Sequence, residues 1–134
     1  MELYETSSAS YLEEKTLKDI SQEIYDSLQV FEEECREKYY LQLAGDFRYV
    51  ERVCDLRLGV YTKCLTIFGK KVGKGGILVK VDVYEDKISL LCKLGAYFQR
   101  HSFNDSVVFQ KMSLDEKMVL VSNEYCSESE KNNV

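Results

Sequence analysis

The chain has 134 residues, of which 45% are hydrophobic, and this composition supports one domain with a core and excludes a largely disordered chain. It contains no proline, which excludes a proline-rich linker or a polyproline ligand. The net charge is −5. The first residues are acidic where a secretory signal would be basic, and no apolar run approaches the roughly 18 residues of a membrane span. We therefore expect an intracellular protein, cytoplasmic or nuclear.

The first predicted element is a long amphipathic helix over about residues 11–43. Two residue pairs near its start have the spacing of a capping box, Ser10 with Glu13 and Thr16 with Asp19. Apolar residues then recur at steps of three or four, which predicts a helix face packed on a sheet. A continuous helix of this length would reach roughly 50 Å, so we expect it either to break or to project as a protein interface. The candidate interface residues are Leu17, Ile20, Ile24, Leu28 and Phe31.

The second half of the chain is predicted to form strands, because its apolar residues alternate with polar ones. Residues 46–53 are ambiguous, and we favour a short helix there over a strand. Short connections favour antiparallel neighbours, including a tight polar turn at residues 85–87. The predicted strands lie at about 54–60, 64–68, 77–83, 88–99, 106–112 and 117–122. Residues 64–68 are either a separate strand or the first strand resumed past a bulge at Gly59.

The predicted fold class is therefore α+β, with a long N-terminal amphipathic helix packed on an antiparallel meander sheet of five or six strands. We expect residues 1–122 to form a single domain, with the helix at about 11–43 and the strands within about 54–122. Residues 123–134 are mainly Ser, Glu, Lys and Asn, which predicts a flexible polar tail.

The segment that looks most like a binding site is G-K-K-V-G-K-G-G at residues 69–76, inside a block, residues 57–81, with six basic residues and no acidic one. It is not a phosphate-binding P-loop, because neither Ser nor Thr follows Lys74 and a strand follows in place of a helix. We favour a hairpin bend whose glycines supply positive φ angles. The alternative is a basic tip that binds phosphates or an acidic protein. Its candidate residues are Lys70, Lys71, Lys74, Lys80 and Arg100.

A second candidate is the aromatic stretch at residues 96–103, which contains Arg100 and the only histidine, His101. Exposed aromatic rings beside an arginine would suit stacking on bases. Phe98, however, continues the inward face of its predicted strand, so we expect it in the core. His101 has no partner at a catalytic spacing, and we favour a structural or surface role.

The five cysteines form no C-x-x-C pair, and we interpret them as reduced thiols, mostly in the core, in place of disulfides or a zinc site. No motif of a known nucleophile or metal ligand set is present. We therefore expect no enzymatic activity, no cofactor and no metal.

These observations favour an acidic, non-enzymatic protein–protein interaction module, an adaptor or small subunit of an intracellular complex, with a homodimer as its simplest form. The alternative hypothesis is a binder of single-stranded nucleic acid or another anionic ligand that uses the Gly69–Gly76 hairpin. The overall acidity counts against nucleic acid, because dedicated binders usually carry a basic domain.

Overall fold

A computed structural model of the chain describes Leu12 and residues 14–67 and 75–132. The described part has an α+β fold with three helices and a six-stranded antiparallel sheet. The helices are α1 (Leu17–Ser27), α2 (Glu33–Leu43) and α3 (Leu114–Asn132), and the strands are β1 (Phe47–Val50), β2 (Tyr61–Thr66), β3 (Gly76–Val83), β4 (Ile88–Leu94), β5 (Tyr97–Ser102) and β6 (Ser106–Lys111). Two 3-10 turns lie at Leu28–Val30 and Val53–Asp55.

Thr16 is the N-cap of α1, as the second of the two predicted capping boxes requires. The Thr16 hydroxyl accepts a hydrogen bond from the Asp19 backbone amide at 3.2 Å, and the Asp19 carboxylate accepts one from the Thr16 amide at 2.9 Å. Two backbone amides at the start of the helix, which have no acceptor within the helix, thereby gain hydrogen-bond partners. The other predicted pair, Ser10 with Glu13, lies outside the described residues.

The predicted long helix is interrupted after Ser27, so of the two expected outcomes the break occurs, and α1 and α2 are separate helices. Phe31 has an extended backbone, and Arg36 Nε donates to its carbonyl oxygen at 2.7 Å, which satisfies an acceptor left free by the break. The break reorients α2 so that Tyr39 packs edge to face on Phe31, with ring centroids 5.3 Å apart. Tyr39 is thereby buried in the main core, and Phe31 is partly buried against it.

The strand order is β1-β6-β2-β3-β4-β5, so only β2 to β5 form a meander. Strand β6 is central and pairs with β1 on one side and β2 on the other. The β2–β3 pairing is short, with Tyr61 opposite Ile77 and Thr62 opposite Gly76. Among the described residues, Leu78 of β3 also exchanges backbone hydrogen bonds with Gly59 and Val60, and we call the strands β3, β4 and β5 the arm of the sheet.

The helices pack on one face of the sheet over β1, β6 and β2. The buried residues of this main core are Leu12, Ile20, Ile24, Leu28, Tyr39, Leu43, Phe47, Leu65, Val107, Phe109, Met112 and Leu120. A smaller core lies on the opposite face, because successive strand residues point to opposite sides. Its buried residues are Val50, Cys64, Leu78, Leu90, Cys92 and Val108.

Three elements predicted after residue 45 are wrong. Residues 47–50 are a strand in place of the favoured helix, because pairing with β6 buries Phe47 on one core and Val50 on the other. Residues 54–60 form a 3-10 turn and irregular chain in place of a strand. Residues 117–122 are part of α3, and the helix also includes residues 123–132, where a flexible polar tail was expected.

The predicted strand at residues 88–99 is two strands joined by a turn at Gly95, which has a φ of +61° and so adopts the left-handed conformation that glycine tolerates. The chain reverses there, and Phe98 lies opposite Lys93. Phe98 is 59% exposed, so its expected place in the core is wrong. The remaining strand predictions, at residues 64–68, 77–83 and 106–112, are confirmed within a few residues.

Candidate functional site

Helix α3 begins with a capping box that fixes its first turn. The Glu116 amide donates to Ser113 Oγ at 3.1 Å, and the Ser113 amide donates to Glu116 Oε1 at 2.9 Å. The second carboxylate oxygen of Glu116 accepts a hydrogen bond from Arg48 Nε at 3.1 Å. One side chain therefore caps the helix and joins it to strand β1.

The buried polar network continues from Arg48 into the centre of the sheet. Gln110 Oε1 accepts from the Arg48 guanidinium at 3.0 Å and from the Arg57 amide at 2.9 Å. Gln110 Nε2 donates to Thr62 Oγ1 and to the Arg57 carbonyl oxygen, both at 2.9 Å. Because each polar atom of the Gln110 amide has partners, the network orients α3 against β1, β6 and β2 without leaving that amide unsatisfied.

Two further contacts hold the inner side of α3. Leu120 is fully buried in the main core. Asn123 Nδ2 donates to the carbonyl oxygens of Leu12 and Lys15, at 3.0 and 2.8 Å. Residues 116, 120 and 123 therefore define the face of α3 that points towards the body of the protein.

The opposite face of α3 is apolar and exposed. Leu114, Met118, Val121 and Tyr125 are 74%, 61%, 52% and 75% exposed. Their spacing of 4, 3 and 4 residues places them in one stripe, about half a turn of the helix away from the anchored face. We call these four residues the α3 stripe. The outward face of a surface helix is normally polar, so the exposed α3 stripe is a candidate binding surface.

The sequence predicted a different stripe as the protein interface, and the structure places it inside the protein. Ile20, Ile24 and Leu28 are buried in the main core, and Leu17 and Phe31 are partly buried against it. All five residues belong to or pack against the main core, three of them in α1 and two in the turn that follows it. They are consequently not an exposed surface of the described chain.

Two of the predicted anion-binding residues lie together on the arm formed by β3, β4 and β5. Lys80 and Arg100 both lie opposite Leu91 and so share one face. Asp82 is between them, 3.3 Å from Lys80 Nζ and 3.1 Å from the Arg100 guanidinium. The hydrogen bond from Arg100 is the main reason that the pKa of Asp82 lies below its ordinary value, with Lys80 contributing further.

Two residues that the prediction did not include extend this face. Lys93 lies opposite both Ile77 and Phe98, and its ammonium group is 5.7 Å from the centre of the Phe98 ring. The exposed face of the arm thus combines three cations, one carboxylate and an aromatic ring. We call Lys80, Lys93, Phe98 and Arg100 the basic face. The other predicted cations, Lys70, Lys71 and Lys74, lie outside the described residues.

The last two glycines of the G-K-K-V-G-K-G-G segment are described, and their role differs from the predicted one. Neither Gly75 nor Gly76 has a positive φ. A Cβ atom at Gly75 would lie 2.7 Å from the Thr62 carbonyl oxygen, and one at Gly76 would lie 2.9 Å from the Lys93 carbonyl oxygen. These glycines are needed for close approach of neighbouring strands.

The cysteines and the histidine occupy several environments. Cys64 and Cys92 are buried in the smaller core, whereas Cys54 is exposed, so its expected core position is wrong; Cys126, in the segment predicted as a polar tail, is exposed as well. A hydrogen bond with Cys92, together with burial, raises the pKa of the Cys64 thiol, which therefore stays protonated at neutral pH. Burial lowers the pKa of His101.

Within residue 12 and the ranges 14–67 and 75–132, no group of three or more His, Cys, Asp or Glu side chains could hold a metal ion. No helix in that same part of the chain has the length and apolar character needed to cross a membrane. A comparison with protein-family models, curated proteins and solved structures gives no match to the chain.

The α3 stripe was missed because residues 117–122 alternate well enough to be taken for a strand. Two signals in the sequence could have identified the helix. Ser113 and Glu116 have the S-x-x-E spacing of a capping box, and Leu114, Met118 and Val121 repeat at helical steps.

Proposed function

We propose that this chain is a non-enzymatic protein–protein interaction module, an adaptor or small subunit of an intracellular complex, and that it binds its partner through the α3 stripe. The main observation behind the proposal is that the four apolar side chains of the α3 stripe are exposed, while the opposite face of the same helix is held against the sheet. Burial of such side chains in a partner is favourable by roughly 25 cal/mol for each Å² of apolar surface.

The position of the stripe supports a rigid interface. Helix α3 is held by the Glu116 cap, by the buried ion pair with Arg48 and by the two hydrogen bonds of Asn123. A partner would therefore meet a surface that is already ordered, which lowers the entropic cost of association. The proposed compartment, cytoplasmic or nuclear, is supported by the exposed thiols of Cys54 and Cys126, which suit a reducing environment.

The experiment that tests this function compares three forms of the tagged full chain in extracts of the cells that make it. Val121→Glu places a charge in the stripe, and Leu58→Glu makes the same kind of change at a 64% exposed residue remote from α3 in sequence. We expect the wild type and Leu58→Glu to capture a common partner, identified by mass spectrometry, that Val121→Glu loses. The same set of proteins recovered with all three forms would refute the proposal.

A second candidate function is the binding of single-stranded nucleic acid or another polyanion on the basic face. The specific observation in its favour is that Lys80, Lys93 and Arg100 share an exposed face with the ring of Phe98. The ion pairs with Asp82 reduce the charge that Lys80 and Arg100 can offer, and the net charge of the chain is −5. This function is therefore the weaker of the two.

Fluorescence anisotropy with a labelled single-stranded oligonucleotide tests the second candidate. If the basic face binds, Lys93→Ser with Arg100→Ser should weaken the affinity and reduce its dependence on salt. The triple change of Lys70, Lys71 and Lys74 to Ser should act in the same direction. Lys18→Ser with Lys38→Ser removes two exposed charges from α1 and α2 and is the matched control. No binding by the wild type would eliminate this candidate.

A further inference from the structure

We infer that the partner of the α3 stripe is a second copy of this chain, bound through the same stripe so that the two α3 helices run antiparallel. This inference rests on the proposed function, since it specifies the partner of the same surface. It is carried by two independent features of the helix: the symmetry of the apolar spacing and the arrangement of charges beside it.

The spacing of the stripe is the same when read in either direction along the helix. The steps of 4, 3 and 4 residues are symmetric about a point between Val119 and Leu120. An antiparallel copy consequently places Leu114 against Tyr125 of the second copy, and Met118 against Val121 of the second copy. Every apolar side chain of the stripe then meets an apolar side chain, as a two-fold interface with a single repeated patch requires.

The charges on one flank of the stripe are complementary in the same arrangement. Lys117 precedes Met118, and Glu124 precedes Tyr125, so both lie on the same side of the stripe. In the antiparallel pair, Lys117 of each copy faces Glu124 of the other, giving two cross-pairs of opposite charge. A parallel pair would instead place Lys117 opposite Ser122, with no complementary charge. The charges therefore favour the antiparallel arrangement.

Lys117 also has a partner within its own chain, since its ammonium group is 3.1 Å from Asp46 Oδ1. This contact holds the lysine at the flank of α3 and leaves about a third of its side chain exposed. Glu124 is partly exposed on the same flank. Both charges are thus positioned beside the stripe before the second copy binds.

Sedimentation equilibrium of the full chain tests the association itself. Over concentrations from about 1 to about 200 µM, we expect the wild type to pass from monomer to dimer. Val121→Glu should raise the dissociation constant at least about tenfold, because the new carboxylate lies near the two-fold axis and close to its own symmetry mate. Leu58→Glu should dimerise like the wild type. Thermal unfolding of the diluted proteins, expected to be unchanged by either substitution, shows that the variants remain folded.

A charge-exchange experiment tests the antiparallel arrangement. Lys117→Glu gives a chain with two acidic flank positions, and Glu124→Lys gives one with two basic positions. Each should dimerise more weakly than the wild type, because like charges then face each other. When the two variants are mixed, both cross-pairs become complementary, so a mixed dimer should form in preference to either homodimer. A general effect on folding cannot produce that preference.

The results that would overturn the inference are specific. A wild type that stays monomeric at about 200 µM excludes the second copy as partner. The proposed function is tested separately, by whether the chain captures a partner that Val121→Glu loses. A monomer destabilised by Val121→Glu would show that the stripe is covered within one chain, and would overturn the inference too. If Val121→Glu dimerises like the wild type, the α3 stripe is not the dimer interface. If the mixed dimer is not preferred, the two α3 helices do not pair in the antiparallel arrangement.

Discussion

Arg48 and Glu116 form a buried ion pair that joins the sheet to the C-terminal helix. Arg48 Nε lies 3.1 Å from Glu116 Oε2, and the two side chains are 2% and 4% exposed. They are 68 residues apart in the sequence. Charges buried to this degree are stabilising only when they are paired and hydrogen-bonded, so the orientation of α3 depends on this contact.

Arg48→Met should lower the free energy of unfolding by roughly 3 kcal/mol, because the buried Glu116 carboxylate would lose the Arg48 guanidinium. The Arg57 guanidinium, 3.6 Å from Glu116 Oε1, compensates only in part. Urea unfolding followed by circular dichroism measures the loss. Arg52→Met is the matched control, since Arg52 is an exposed residue paired with Asp55, and its removal should destabilise the protein far less than the removal of Arg48. Equal losses in the two variants would contradict the importance of the buried pair.

Ser113→Ala should destabilise the protein by about 1 kcal/mol, the usual cost of losing a capping hydroxyl. The substitution removes the acceptor of the Glu116 amide and loosens the carboxylate that also binds Arg48. Ser122→Ala changes the same residue type in the exposed middle of α3 and should have almost no effect. Urea titrations of both variants provide the comparison, and a loss in Ser122→Ala as large as that in Ser113→Ala would count against the cap.

The elements that could be predicted from the sequence are those determined by local contacts. The Thr16 cap uses a hydroxyl and a carboxylate three residues apart, and the strand at residues 77–83 needs only alternation. Residues 117–122 satisfy both a strand and a helix pattern, because Val119 and Val121 favour strands. Contacts with Arg48 and Leu12, distant in sequence, decide in favour of the helix.

The candidate site was harder to predict for the same reason. The chain has two apolar helical stripes, and the sequence does not show which of them is covered by the sheet. The stripe containing Ile24 is buried in the main core, whereas the stripe containing Val121 is exposed. Phe98 is a further case, since its exposure follows from the chain reversal at Gly95. Which apolar residues remain exposed depends on how the helices and strands pack, and this cannot be inferred from the spacing of residues in the sequence.

Gly76→Ala should destabilise the protein by roughly 1 to 3 kcal/mol, the range found for overpacked sites. The added Cβ would lie 2.9 Å from the Lys93 carbonyl oxygen and 3.1 Å from its carbonyl carbon, and backbone atoms in a sheet cannot move aside easily. Gly95→Asn is the comparison, because Gly95 has open space around it, so the added side chain meets no clash and costs only the strain of a φ of +61°, which asparagine adopts more readily than most residues. Thermal unfolding of the two variants should differ clearly. A Gly76→Ala protein as stable as the wild type would show that β3 and β4 can separate at this position.

His101→Gln should make stability less dependent on pH. Burial disfavours the charged imidazolium, so the pKa of His101 in the folded chain lies below the 6.5 of an unperturbed histidine. The unfolded chain then binds more protons than the folded chain as the pH falls, and stability decreases with falling pH. The contribution of His101 is fully present above pH 6.5 and is lost as the pH drops from there through the lower folded pKa. Because His101 is the only histidine in the chain, urea midpoints measured from about pH 7.5 to about pH 5 should fall more steeply for the wild type than for His101→Gln. Parallel curves for the two proteins would show that His101 titrates alike in the folded and unfolded chains.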